Sequence, residues 1–174
     1  MNQAILAGLL VLIFNFFWSD HLFSKSIDLN NSKSLLSTIR VFNVNGHPVE
    51  QSLLEGKIIG LYFSAGWCGS CRSFTPALVE FRNRYQKEFE VILVGADGNA
   101  AAQKNYVMKY KMPWLLVENQ SEDSRFLLSA TEAALLPSLI ILNYDGKIIS
   151  REGVTEIKNM NGGALEFWKE KKVR

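Results

Sequence analysis

The run KIIGLYFSA, Lys57–Ala65, is apolar at nearly every position. A strand with one wet face alternates polar and apolar residues, so a run that does not alternate reads as a strand covered on both faces. FEVILVGAD, Phe89–Asp97, is a second run of the same kind. Two such strands require helices above and below the sheet. Between them Phe74, Leu78, Phe81 and Tyr85 recur at spacings of four and three, the face of an amphipathic helix, which Pro76 is expected to kink. Residues 99–111 predict a further helix with Asp97 or Asn99 as its cap. MPWLLVEN is a short extended piece, and residues 122–130 predict a helix with Phe126, Leu127 and Ala130 on one side. SLIILNYDGKIISREG reads as a hairpin turning at Asp145-Gly146. A last helix is expected over about Thr155–Lys172, weakened at Gly162-Gly163. The order β-α-β-α-β-β-α predicts an α/β fold of three layers, a central mixed β-sheet with helices on both faces.

With 174 residues and a 48% hydrophobic fraction, the chain suits one domain with a full core. The net charge is +2, and no basic run exceeds Lys171-Lys172, which excludes the usual footprint of a nucleic-acid binder. Three regions are expected: an apolar leader over residues 1–24, a polar linker over 25–38 and a folded domain over 39–172. Within the leader, Ala4–Trp18 is apolar apart from Asn15. As a helix it would reach ~22 Å, short of a ~30 Å hydrocarbon core and suited to the central segment of a signal peptide. No Lys or Arg precedes it, and Phe17-Trp18-Ser19-Asp20 does not offer a small-x-small cleavage site, whereas Ser24-Lys25-Ser26 does. The expected location is the secretory pathway, as a cleaved signal or N-terminal anchor; the alternative is a cytoplasmic protein with an apolar extension. Membrane contact is expected only through an uncleaved leader. Two glycosylation sequons follow, Asn30-Asn31-Ser32 and Asn119-Gln120-Ser121.

The only cysteines, Cys68 and Cys71, lie in GWCGSCRSF, where the first strand gives way to its helix. Zinc wants four ligands, or three and a water, and neither His21 nor His47 has ligand spacing to the pair. No metal and no cofactor is expected. Two inert buried thiols are a second possibility, set against by Gly66 and Gly69, which bracket Cys68 in a tightly turning loop. The third possibility is a redox pair. At a helix N-terminus, free amides and the positive dipole end stabilise a thiolate. That matters because an ordinary thiol, pKa ~8.5, is only about 3% ionised at pH 7. Cys71, one turn on, is placed to attack a mixed disulfide held by Cys68 and release its partner. Arg72 adds positive charge, Trp67 offers an apolar wall, and Pro137 stands directly before the strand SLIIL, where a cis bond would leave backbone free to pair with a substrate.

LYFSAGWCGSCRSFTPALVEF, PSLIILNYDGKIIS and the tail REGVTEI…ALEFWKE span about Val41–Lys172 and resemble the thioredoxin superfamily. The Cys-Arg-x-Phe-Thr-Pro run is similar to the tryparedoxin–nucleoredoxin branch, above all nucleoredoxin-like proteins. The resemblance implies a thioredoxin-like fold. It also implies reduction or exchange of protein disulfides, with Cys68 as nucleophile, Cys71 as resolving thiol, a redox disulfide Cys68–Cys71 and Pro137 as the cis-proline. Trp67, Gly69, Ser70 and Arg72 complete the expected site. The implied partners are protein disulfide substrates and an upstream thiol reductant, and the protein is expected to be a monomer. A partner-binding or signalling module with incidental redox turnover is the alternative. The chain departs from the family at Gly69-Ser70, where reducing members carry a proline. It departs again at Tyr62, where ordinary thioredoxins place a buried Asp six residues before the nucleophile. The apolar leader is a third departure, since most of the family is cytosolic.

Overall fold

The two apolar runs lie side by side at the centre of the sheet. The computed structural model describes residues 34–160 and 162–171. Strand β3, Ile58–Ser64, is buried at all seven positions, and β4, Phe89–Gly95, at six. They pair in parallel with Ile58 opposite Phe89 and Ser64 opposite Gly95. The connection is helix α1, Gly69–Arg84, which continues through Pro76. Parallel pairing then adds β5, Leu115–Leu116, after α2, Ala100–Lys109. On the other side β6, Ser138–Leu142, runs antiparallel to β3 and turns back into β7, Ile148–Ser150. The full order is β2-β1-β5-β4-β3-β6-β7, with β1 at Val41–Phe42 and β2 at Pro48–Val49. Helix α3, Glu122–Thr131, precedes β6, and α4, Gly153–Met160, and α5, Gly163–Glu170, follow β7. The mixed sheet with helices on both faces is the expected architecture.

Each face of the sheet has its own core. Tyr62, Val91, Leu93, Leu139 and Ile141 project to one side, against Phe74 and Leu78 of α1, Tyr106 and Val107 of α2, Ile157 of α4 and Trp168 of α5. Leu61, Phe63, Ile92, Val94 and Ile140 project to the other, against Leu127 of α3. That second core also takes in Leu36, Ile39, Val41 and Leu54. Leu36 lies in a 3-10 turn over Leu35–Thr38, capped by the Ser34 hydroxyl. The end of the stretch expected to be a linker is thus part of the folded body, because one buried leucine in a polar run is enough to anchor it. The expected last helix is two, α4 and α5, as the glycine pair at 162–163 foreshadowed. Glu156 bridges the break: its carboxylate accepts from Ser150 Oγ, Trp168 Nε1 and Lys171 Nζ. The leader, most of the linker, His21 and the Asn30 sequon lie outside the described residues.

Candidate active site

The carboxyl ends of β3 and β4 point the same way, and the loops leaving them meet there. Past Ser64 the chain turns sharply: the Cys68 amide donates to the Ala65 carbonyl at 3.1 Å. Cys68 is the N-cap of α1, as the expected helix start requires. Its sulfur takes the capping role that an oxygen usually fills, accepting the Cys71 amide at 3.2 Å. One helical turn brings the Cys71 sulfur back over the cap, and the two sulfurs are joined as a disulfide. Cys71 is fully buried, while Cys68 keeps 6% of its surface in solvent. The two pack with Ala65 and Leu136.

The other expected site residues surround the pair in different ways. Leu136–Pro137 is a cis peptide bond and lies in the loop that brings Leu136 onto the cysteines. The Ser70 hydroxyl spans the two loops, 3.4 Å from the Cys68 sulfur and donating to the Leu136 carbonyl at 3.4 Å. Arg72 turns its guanidinium back along the loop and donates to the carbonyls of Gly66 and Trp67. Its charge therefore also serves as a clasp. Trp67 does not form a packed wall: it is 66% exposed, tethered by its indole N–H to the Ala96 carbonyl. Gly69 is exposed, with open space where a Cβ would stand. His47 sits exposed in the β1–β2 turn, and among the described residues no cluster of three or more His, Cys, Asp or Glu side chains is placed to hold a metal.

Two features went unread in the sequence. Below Cys71 lies a buried chain of hydroxyls. Tyr62 donates to the Cys71 carbonyl and bonds Thr75, Thr75 bonds Tyr106, and Tyr106 bonds Ser64, at 2.7–3.3 Å. Burial pushes the Tyr62 phenol well above its ordinary range, so it stays protonated. A neutral donor thus occupies the place where thioredoxins carry a carboxylate. The second is Asp97, which is not the cap of α2; Asn99 is, accepting from the Ala102 amide. The Asp97 carboxylate instead accepts the Gly66 amide at 2.9 Å. The strand register explains the contact: Ser64 pairs with Gly95, and the same register carried two residues further sets Asp97 opposite Gly66.

The Asn119 sequon is structurally committed. Its Nδ2 donates to the carbonyls of Gly95 and Asp97 and to Gln103 Oε1, so the nitrogen that would carry a glycan is used inside the fold.

The family model for thioredoxin-like proteins matches residues 56–148. Nucleoredoxin of Mus musculus is 40% identical over 119 residues, 66% of this chain but 27% of that protein, so the chain matches about a quarter of its relative's length. Tryparedoxin of Trypanosoma brucei brucei is 38% identical over 119 residues, 66% of this chain and 81% of the tryparedoxin. Among solved structures, tryparedoxin I from Leishmania major superposes with a TM-score of 0.68 at 28% identity, covering 79% of this chain and 95% of the other.

Proposed function

The chain belongs to the thioredoxin-like family of oxidoreductases, and from that premise we propose that it reduces or exchanges disulfides in other proteins through Cys68 and Cys71. The observation that carries the proposal is the Cys68–Cys71 disulfide at the N-cap of α1, where the Cys71 amide donates to the outer sulfur. An upstream dithiol supplies two electrons and opens the bond. The Cys68 thiolate then attacks one sulfur of a substrate disulfide; the substrate S–S bond breaks, and the departing thiolate takes a proton from water. Cys71 gives its proton to water and attacks the Cys68 sulfur. The substrate leaves with its second thiol, and the Cys68–Cys71 bond re-forms. One dithiol is oxidised and one disulfide reduced.

A protein substrate is favoured by the shape of the site. Cys68 meets solvent on a rim, and neither cysteine lines the groove of about 410 Å³ formed by Phe42, Val44, Val107 and Leu116. A rim reaches a disulfide presented on another protein's surface. Trp67 and Leu135, 66% and 77% exposed, add apolar surface for docking. That surface also favours the second reading, a docking module with incidental turnover. Insulin reduction by dithiothreitol separates the two: the wild type accelerates it and C68S does not. Equal acceleration by C68S would reject the redox role.

A further inference from the structure

Asp97 has no part in the exchange steps, yet it is built into the site. It is 3% exposed, and among the described residues its Oδ2 and Trp114 Nε1 are the buried side-chain polar atoms without a hydrogen-bond partner. Leaving a buried carboxylate oxygen unpaired costs free energy, and such groups cluster where function needs them. Together with its neighbour Ala96, Asp97 is tied to the redox loop and is itself anchored to Asn119 and Gln120. Its Oδ1 holds the Gly66 amide, and the Ala96 carbonyl beside it holds the Trp67 indole. Its own carbonyl is gripped by Asn119 Nδ2 at 3.1 Å and Gln120 Nε2 at 3.3 Å. A Cβ at Gly66 would crowd Tyr106 at 3.1 Å, so the loop packs closely against α2 here.

We infer that Asp97 is a positioning residue for the redox loop, fixing the Gly66–Cys68 segment and setting the electrostatic field at the Cys68 sulfur. The inference rests on Cys68 being the nucleophile. A carboxylate bonded to the amide of Gly66, two residues before Cys68, would oppose a thiolate there, and the two would titrate as a coupled pair. Burial already raises the Asp97 carboxyl above the ordinary aspartate range, against the opposing effect of the Gly66 bond. The other ionisable groups on the surrounding elements are Arg72 of α1, Tyr106 and Lys104 of α2, Glu118 beside Asn119, and Cys71. Arg72 is bound to the same loop and offsets part of the negative charge. Tyr106 is engaged with Ser64 and Thr75. Lys104 and Glu118 are exposed and screened by solvent.

The test is alkylation of the reduced protein with iodoacetamide from pH 5 to 9, with each labelled cysteine identified by mass. Asp97→Asn keeps an oxygen for the Gly66 amide and removes the charge. Its Cys68 profile should move to lower pH by about half a unit, which is about threefold faster labelling below the midpoint. Asp97→Ala, which also removes the acceptor, should not reproduce the wild-type profile. In the wild type, the carboxyl-carbon NMR signal of Asp97 should show a second inflection at the Cys68 midpoint in the reduced form and none in the disulfide form, and it serves equally if D97N folds poorly. Cys68 labelled first with superimposable wild-type and D97N profiles, or an Asp97 signal with no inflection at the Cys68 midpoint, would overturn this inference alone. Cys71 labelled first would overturn the nucleophile assignment and this inference with it.

Discussion

Cys68 and Cys71 differ by one helical turn and by their access to solvent. The outer cysteine has the helix N-terminus, through the Cys71 amide, and some surface; the inner one has neither the surface nor a carboxylate beneath it, only the hydroxyl chain from Tyr62. Tyr62→Phe should destabilise the oxidised protein by about 1–2 kcal/mol in urea unfolding, because the lost hydroxyl bonds two buried oxygens. Asp97 gives a pH signature of its own. A carboxyl whose pKa is higher folded than unfolded binds protons more tightly in the native state. Its native stability is therefore greatest below the ordinary aspartate value of 3.8 and falls as pH rises through the folded value. The wild type should lose stability relative to Asp97→Asn as pH is raised from 3.5 to 7. A constant difference between the two urea midpoints would contradict this. The cysteines, Arg72 and Pro137 were legible because a local motif marks them. Asp97 and the hydroxyl chain were not, because residues 62, 75, 97 and 106 meet only after β3 and β4 pair and α1 and α2 dock.

The elements that were legible are those long enough to show a period or an unbroken apolar run. Strands β3 and β4, helices α1 to α3 and the β6–β7 hairpin all qualify. The β1–β2 hairpin was missed because strands of two residues have no period. Its turn nevertheless repeats the later one. Asn43 Oδ1 accepts the amides of Asn45 and His47, as Asn143 Oδ1 accepts those of Asp145 and Lys147, and Gly46 and Gly146 both take positive φ. Two contacts between elements invite tests. Arg82 of α1 grips the buried Glu90 of β4 with two bonds, at 2.9 and 2.6 Å. Arg82→Ala leaves that carboxylate without its counter-charge, holding only the Val91 amide, and should cost about 3 kcal/mol of unfolding free energy. Gly60 of β3 lies where a Cβ would stand 2.9 Å from both the Leu139 and Phe89 side chains. Gly60→Ala should cost about 1–3 kcal/mol by overpacking. Wild-type denaturation midpoints in either variant would show that these contacts do not set stability.

At the scale of the molecule, the sheet brings three loops to one rim: Ala65–Cys68 after β3, Ala96–Gly98 after β4 and Leu136–Pro137 before β6. Their convergence follows from parallel pairing of β3 with β4 and antiparallel pairing of β3 with β6. The compartment in which this rim works is a separate proposal, that the leader directs the chain into the secretory pathway. Mass analysis of the protein from its own cells should find a shortened N-terminus or a membrane-anchored chain. An intact N-terminus on a freely soluble cytosolic protein would contradict it. Absence of a glycan at Asn119 would not bear on the proposal, since the fold uses that nitrogen. In this mechanism Cys68 attacks and Cys71 resolves. Trapping tests it directly: Cys71→Ser, reduced and mixed with an oxidised protein substrate, should accumulate a covalent adduct whose peptide mass locates the bond at Cys68, and Cys68→Ser should form none. An adduct on Cys71 in the Cys68→Ser protein, formed as fast as the Cys68 adduct, would show that Cys68 is not the attacking thiol.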